Sequence, residues 1–365
     1  MNNIRKPPTK SDIIERLRRG QLALPPLRFK LIETERAGWD AMLVASWGGQ
    51  RAKYAVECKA QSTPKGFNDA LRKCQLGPLP TGALPMLVTP YLRESQLQEL
   101  ELKRISGVDL CGNGVVVAPG RFSVFRSGEK NQFPTYSPIR NIYRKNTSMV
   151  ARLFLASPFF GSVQQVREAV NARNLFSSHW GKTPMGLGTV SKALKVLEED
   201  QIVYRQRGIR LVGPDKLLEA LADNYIRSNK EPRIRLKIQG DKASLMRLLR
   251  ARAGAVSLPI VATGLSSVSR YAVMQREDVL SVFCPEIALL LDSLGGKETD
   301  RFPNVELIQT DEQPRYFDAR EEEGFFWASP VQTYLELTTG DKRDQETAEQ
   351  VKDYLLRGSE TEGGQ

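Results

Sequence analysis

The sequence is poor in the side chains that usually bind transition metals or act as catalytic bases. It contains one histidine, His179, and four cysteines without any C-x-x-C spacing, Cys58, Cys74, Cys111 and Cys284. Neither a zinc site nor a disulfide framework is therefore encoded. Because His179 lies in the polar segment SSHWGKTP, which is typical of a surface loop, a hydrolase built on a histidine base is disfavoured. A metal ion in this protein would need oxygen ligands.

The sequence also lacks long apolar runs and internal repeats. No run approaches the roughly 18 apolar residues that a membrane span needs, and the basic, proline-containing segment 1–10 is not followed by an apolar segment. We therefore expect a cytoplasmic protein without a membrane partner. A chain of 365 residues with 41% hydrophobic content predicts two or three globular domains.

Positive charge is concentrated in the first part of the chain. Residues 1–230 hold 36 Lys and Arg against 19 Asp and Glu, whereas residues 231–365 hold 17 against 23. Such an excess favours a polyphosphate partner, because each neutralised phosphate releases counterions. The excess could also serve solubility or an anionic membrane surface, but no basic amphipathic helix of the membrane-binding kind is present. DNA is the expected partner.

Composition and pattern predict an α/β protein of several domains. Two polar segments that contain proline, 127–146 and 228–232, are expected as linkers. The expected domains are residues 1–130, 147–228 and 232–357.

The first domain contains a clear hairpin signal. The runs DAMLVAS and RAKYAVECK flank Gly48 and Gly49, and such a glycine pair favours a two-residue turn. Residues that face each other then have numbers that add up to 97, so Asp40 faces Glu57, and Lys59 lies on the same face. The opposite face is expected to be core and comprises Ala41, Leu43, Ala45, Trp47, Ala52, Tyr54, Val56 and Cys58.

Asp40 and the Glu57-Cys58-Lys59 triplet, followed by a helix, a strand, a helix and a strand, resemble the PD-(D/E)xK, or restriction-endonuclease-like, superfamily. The resemblance implies that Asp40 and Glu57 bind Mg²⁺ or Mn²⁺ and that Lys59 orients water or stabilises phosphorane charge. An acidic residue on the first helix, here Glu15, is implied as a further site residue. Trp39 stands where the literal motif has proline.

Each of these residues also has a structural interpretation. Glu57 and Lys59 could be a solvated cross-strand pair, and Glu15 could complete a capping box begun by Asp12. Two facing carboxylates repel each other unless a cation or proton lies between them. We therefore interpret the intact set as favouring an enzyme over a scaffold.

The second domain resembles a winged helix-turn-helix. SMVARLFLAS, SVQQVREAVNAR and GLGTVSKALKVLEED predict three helices, and IVYRQRGIRLVG predicts a hairpin. In the third helix Val190, Leu194 and Leu197 form the inner stripe. The expected DNA-binding residues are Thr189, Lys192 and Lys195 on the outer stripe and Arg205, Arg207 and Arg210 on the wing. A winged domain used for protein contacts is the alternative.

The third domain is acidic, and four strands and a closing helix are expected. FFWASPVQTYLELTTGDKRDQETAEQVKDYL resembles the C-terminal region of AbiEi-type antitoxins, which implies a transcriptional regulator of a toxin-antitoxin system and a possible toxin or other protein partner for this domain. Two functions therefore remain. One is a Mg²⁺-dependent deoxyribonuclease directed by its winged helix, and the other is a non-cleaving regulator that uses the nuclease-like domain as a scaffold.

Overall fold

The computed structural model describes residues 8–133, 141–181, 183–225, 231–273 and 279–361. The chain divides into two compact units, Met1–Arg140 and Asn141–Gln365. The expected mixed α/β class is confirmed. The segments expected as winged helix and C-terminal domain both belong to the second unit. Parts of both expected linkers, 134–140 and 228–230, lie outside the described residues.

The first unit is one seven-stranded sheet with helices on both faces. Its elements are α1 (Lys10–Arg18), β1 (Arg28–Arg36), β2 (Trp39–Trp47), β3 (Gln50–Cys58), α2 (Pro64–Leu76), β4 (Ala83–Thr89), α3 (Glu94–Leu102), β5 (Ser106–Asp109), β6 (Gly114–Ala118) and β7 (Phe122–Arg126). The strands lie side by side in chain order. The pairs β3–β4 and β4–β5 are parallel because a helix connects each, and the other pairs are antiparallel.

The β2–β3 hairpin has the register predicted from the sequence. Gly48 and Gly49 have φ values of +58° and +80°, as both central residues of a type I′ turn require. The paired residues run from Trp47 with Gln50 to Ala41 with Val56. One further step along this register sets Asp40 opposite Glu57.

Apolar packing covers one face of this sheet and, beside α2, part of the other face. Ala41, Leu43, Ala45, Ala52, Tyr54, Val56 and Cys58 pack with Ile13 and Leu17 of α1, as expected for core residues. On the opposite face, Met42 and Ala55 pack against Phe67 and Leu71 of α2. Trp47 was wrongly expected in the core: its side chain is 46% exposed, because it lies at the turn end of the hairpin.

The second unit contains a three-stranded and a seven-stranded sheet. Its α-helices are α4 (Ser148–Ala156), α5 (Val163–Arg173), α6 (Leu187–Glu199), α7 (Pro214–Asn224), α8 (Lys242–Ala255), α9 (Leu265–Val268), α10 (Ala288–Leu294), α11 (Gln313–Tyr316), α12 (Pro330–Thr338) and α13 (Lys342–Thr361). Its strands are β8 (Phe159–Phe160), β9 (Val203–Tyr204), β10 (Ile209–Leu211), β11 (Arg233–Lys237), β12 (Val261–Ala262), β13 (Leu280–Cys284), β14 (Lys297–Glu298), β15 (Val305–Gln309), β16 (Arg320–Glu322) and β17 (Phe325–Trp327). The sheet orders are β8-β10-β9 and β14-β11-β15-β13-β12-β17-β16.

Helix positions agree with the sequence pattern in this unit. The three helices expected from residues 148–199 are α4, α5 and α6, and the expected hairpin is β9 with β10. The closing helix α13 begins at Lys342, five residues before the expected segment TAEQVKDYLLRG. Among the described residues, no helix combines the length and the apolar content that crossing a membrane requires.

A buried arginine joins the two parts of the second unit. The Arg152 guanidinium of α4 donates to the Pro314 carbonyl at 2.7 Å and to Gln332 Oε1 of α12 at 2.8 Å. Gln332 Nε2 in turn donates to the Tyr225 hydroxyl at 3.0 Å. Burial lowers the pKa of Arg152 to about 10. The helices of residues 148–224 are therefore fixed to the larger sheet by polar contacts as well as by packing.

We expect Arg152→Met to destabilise the second unit. The change leaves the Pro314 carbonyl and Gln332 Oε1 without their donor inside the protein, and each unpaired buried acceptor costs about 1–3 kcal/mol. Thermal and denaturant unfolding should show a loss of about 2–4 kcal/mol. Arg207→Met, at an exposed position, is the matched control. Equal stability of the two variants would contradict the role given to Arg152.

Candidate catalytic site and candidate nucleic-acid interface

Asp40 lies at the start of β2, where it bridges the hairpin to α1. Its Oδ2 accepts a hydrogen bond of 2.8 Å from the Cys58 amide on β3. Its Oδ1 lies 2.6 Å from Lys10 Nζ, and the Asp40 side chain is 12% exposed. Strand β3 and helix α1 therefore each contact one oxygen of the Asp40 carboxylate.

Glu57 is buried, which contradicts its interpretation as a solvated strand residue. Its side chain is only 5% exposed, and Oε1 lies 3.1 Å from Lys59 Nζ. Its Oε2 forms an ion pair with Lys73 of α2. The burial follows from the packing of α2 across this face of the sheet, which the hairpin pattern alone does not contain.

Lys73 is fixed by three groups at once. Besides the Glu57 carboxylate, its ammonium donates to the Gly38 carbonyl at 2.6 Å and lies 5.1 Å from the centre of the Trp39 ring. An ammonium close to an aromatic face gains a cation–π attraction. The indole of Trp39 is itself anchored by a 2.8 Å hydrogen bond from Nε1 to the Pro78 carbonyl.

The site thus contains two carboxylates and three ammonium groups, those of Lys10, Lys59 and Lys73. Burial of Lys10 opposes its charged form, yet the hydrogen bond and charge of Asp40, together with the charge of Glu57, raise the pKa of Lys10. Lysine side chains therefore supply the cations that two neighbouring carboxylates need. The two facing carboxylates by themselves therefore do not favour an enzyme over a scaffold.

Glu15 does not join this cluster. On α1 its carboxylate lies 2.7 Å from Arg18 Nη1 and 2.9 Å from Arg19 Nε, and these hydrogen bonds lower the pKa of Glu15. The alternative role of Glu15 in a capping box was wrong, because the box is formed one turn earlier by Thr9 and Asp12. In the part of the chain that the structure describes, no three acidic, His or Cys side chains converge as metal ligands.

The donor set formed by Asp40 and Glu57 suits a hard divalent cation. Mg²⁺ is commonly held by one or two carboxylates, with waters and substrate phosphates completing the shell. Each carboxylate oxygen now contacts an N–H or an ammonium group. Lys10 is half exposed and Lys59 and Lys73 are about one-third exposed, so these side chains have room to move aside for such a cation.

Sequence reasoning missed Lys10 and Lys73. Lys73 follows the buried Ala70 and Leu71 on α2 by two or three positions, so the helical period places it at the margin of the buried stripe. That position indicates proximity to the sheet, but the partner of Lys73 depends on how α2 crosses it. Lys10 precedes the buried stripe of α1, and its position in the sequence does not indicate that it lies close to the sheet.

The residues expected to bind DNA lie on the surface of the second unit. Lys192 and Lys195 on α6 are exposed and Thr189 is half-buried, whereas Val190, Leu194 and Leu197 are buried as expected. The outer and inner stripes of α6 are thus confirmed as far as exposure is concerned.

Three arginines surround the turn between β9 and β10. Arg205 lies 3.8 Å from Glu198 of α6, and the Arg210 guanidinium lies 5.0 Å from the centre of the Phe159 ring. Arg207 has a φ of +53° and precedes Gly208, whose φ is +112°. Arg207 and Arg210 are exposed and Arg205 is half-buried. The turn therefore presents cations next to the outer stripe of α6.

Comparison of the chain with protein-family models, with curated proteins and with solved structures found no match.

A double-mutant cycle should measure the coupling between Lys73 and Glu57. Lys73→Met alone is expected to lower the free energy of unfolding by about 1–3 kcal/mol, because Glu57 stays buried with a single ammonium partner. In Glu57→Gln the same lysine change should cost clearly less. Lys103→Met, whose ion pair with Glu99 is solvent-exposed, should cost under about 1 kcal/mol. Additive effects of the two site changes would contradict the coupling.

Proposed function

We propose that the first unit hydrolyses DNA phosphodiester bonds with Mg²⁺ or Mn²⁺, as a nuclease of the PD-(D/E)xK type, and that a winged helix in the second unit directs it to DNA. One observation carries the proposal: the hairpin register brings Asp40, Glu57 and Lys59 to one end of β2 and β3. The order α1-β1-β2-β3-α2-β4, with Asp40 entering β2 and Glu57 leaving β3, also supports it.

In the proposed reaction the side chains of this site have separate tasks. Asp40 and Glu57 would hold the divalent ion, which when bound activates water and offsets charge on the phosphate. Lys59 would turn from Glu57 towards the phosphate and stabilise the charge that develops there. The attacking water would lose a proton to solvent as its oxygen bonds to phosphorus, the phosphodiester P–O bond would break, and the leaving oxygen would take a proton from solvent. Lys10 and Lys73 would keep the carboxylates compatible with burial between reactions.

The second unit supports DNA binding through charge and exposure. Helix α6 presents Lys192 and Lys195, and the neighbouring turn presents Arg207 and Arg210. A helix, a short strand, two helices and a hairpin follow one another in residues 148–211, with β8 pairing to β10. A helix of this kind fits the major groove and a basic wing fits the adjoining phosphates.

A non-cleaving regulator of the AbiEi antitoxin type is the second candidate, because the lysines already neutralise the site. Glu57 is buried with an ammonium on each oxygen, so a scaffold role needs no metal ion. In this alternative the first unit serves as a scaffold or binds another protein, and the acidic C-terminal part contacts a toxin.

Loss of either carboxylate should abolish cleavage. Purified protein is incubated with plasmid and linear DNA in Mg²⁺, Mn²⁺ or EDTA, and Asp40→Asn, Glu57→Gln and Lys59→Ala are compared with Glu15→Gln. The first two changes should remove detectable cleavage, Lys59→Ala should lower the rate by a factor of about 10² or more, and Glu15→Gln should retain activity. Mg²⁺ should raise the melting temperature of the wild type but not of the double carboxylate variant. If the wild-type protein does not cut DNA and its melting temperature does not change with Mg²⁺ or Mn²⁺, the non-cleaving regulator is the function that remains.

Neutralising the winged surface should weaken DNA binding in a salt-dependent way. The five-fold variant Lys192→Ala, Lys195→Ala, Arg205→Ala, Arg207→Ala and Arg210→Ala should lose affinity in fluorescence anisotropy. The slope of log affinity against log salt should fall by about 0.9 for each lost phosphate contact on duplex DNA. A matched variant removes five exposed cations elsewhere in the second unit. Unchanged affinity and slope in the first variant would exclude this surface.

A further inference from the structure

Four basic side chains form two rows on one face of the first unit's sheet. Arg28 and Lys30 lie on β1, Arg51 and Lys53 lie on β3, and all four are exposed. Arg28 and Arg51 form one row across the strands, and Lys30 and Lys53 form the other. The cross-strand partners on β2 are Ser46 for Arg28 and Arg51, and Val44 for Lys30 and Lys53. We call these four cations the basic rows.

The strand geometry gives the basic rows the dimensions of a trough. Neighbouring strands lie about 4.8 Å apart, so β1 and β3 are separated by about 10 Å, and the two rows are about 7 Å apart along the strands. Val44 and Ser46 between them are half-buried and short. The floor is therefore low and nearly uncharged, with a pair of cations on each side.

The basic rows have no acidic partner within the described part of the chain. Among the described residues, none of the four side chains forms an ion pair or a side-chain hydrogen bond, whereas Arg36, Lys103 and Arg126 in the same unit each pair with a glutamate. Residues 1–140 carry 22 Lys and Arg against 12 Asp and Glu. Four like charges without counter-charges repel one another, and a polyanion would relieve that repulsion.

The basic rows lie on the sheet face that contains Glu57. Side chains alternate along β3, so Arg51, Lys53 and Glu57 share one face. At about 3.3 Å per residue, Lys53 is about 13 Å and Arg51 about 20 Å from Glu57 along the strand. One DNA strand carries a phosphate every 3.4 Å along the helix axis. These spacings correspond to about four to six nucleotides. Because α2 packs over Ala55, between Lys53 and Glu57, a DNA backbone would pass around α2, and the spacings are lower limits.

We propose that the basic rows hold the sugar-phosphate backbone of DNA at least about four nucleotides from the bond cleaved at Asp40 and Glu57. The location relative to the cleaved bond rests on the proposed nuclease function, whereas the contact itself does not. Arg28 and Arg51 offer planar donors to phosphate oxygens, and Lys30 and Lys53 act as point charges. Because the floor of Val44 and Ser46 has little capacity to read bases, this contact is independent of sequence.

The test uses full-length protein in EDTA, so that binding is measured without cleavage. The rows variant, Arg28→Gln, Lys30→Gln, Arg51→Gln and Lys53→Gln, is compared with a control of equal charge, Arg36→Gln, Lys103→Gln, Arg104→Gln and Arg126→Gln. Anisotropy titrations with duplex DNA at several salt concentrations should show a slope reduced by about 3–4 in the rows variant. The control should keep most of the wild-type slope. Equal behaviour of the two variants overturns the proposal.

Two further measurements keep the outcome decisive. If the rows variant fails to fold, the pairs Arg28→Gln with Arg51→Gln and Lys30→Gln with Lys53→Gln should each give about half of the slope change. Binding to vesicles of phosphatidylserine and phosphatidylcholine is measured in parallel, and loss of vesicle binding with unchanged DNA binding overturns the proposal. If the proposed nuclease function is wrong, the wild-type protein shows no metal-dependent cleavage, but the rows variant still loses DNA affinity in EDTA. The two proposals can therefore fail separately.

Discussion

The register of one hairpin determines which charged side chains of the first unit share a face. Gly48 and Gly49 adopt positive φ values, and β2 and β3 pair from that turn onwards. Because side chains alternate with a period of two, a slip by one residue would move Glu57 to the opposite face, among the residues that pack with α1. A side chain at Gly48 would meet no heavy atom within 4 Å, so the glycine requirement there comes from backbone conformation and not from space.

Helix α2 both buries Glu57 and supplies a cation that pairs with it. By covering Met42 and Ala55 it buries Glu57, and by carrying Lys73 it supplies one of the charges that such a buried carboxylate requires. Removing one partner of a buried ion pair costs far more stability than replacing both partners by apolar side chains, because the remaining charge is left in a poorly solvated place. Lys10 has the same relation to Asp40 from the other side of the sheet. The local order of α1, β2, β3 and α2 is thus linked through charge as well as through apolar packing.

The sequence predicted what depends on short-range pattern. The hairpin register, the core face with Tyr54 and Val56, and the buried stripe of α6 follow from turn chemistry and periodicity. Strand β1, RFKLIETER, was not predicted, because charges and an irregularity between Leu31 and Glu33 mask the alternation of its apolar and polar residues. The burial of Glu57 and the roles of Lys10 and Lys73 escaped because they depend on how helices cross the sheet, and a single sequence does not specify those long-range contacts.

The lysines also explain why one set of residues is compatible with both candidate functions. An ammonium group carries one positive charge and a divalent ion carries two, so the ion could replace Lys10 on Asp40 and one ammonium on Glu57 without changing the charge balance at the carboxylates. Lys59, released from Glu57, would then be a free cation beside the same site, where a phosphate brings new negative charge. Without that exchange, the identical ion pairs simply hold α1 and α2 on the sheet. The choice between the two functions is therefore decided by the relative affinity of the carboxylates for lysine and for a divalent ion, and not by the fold.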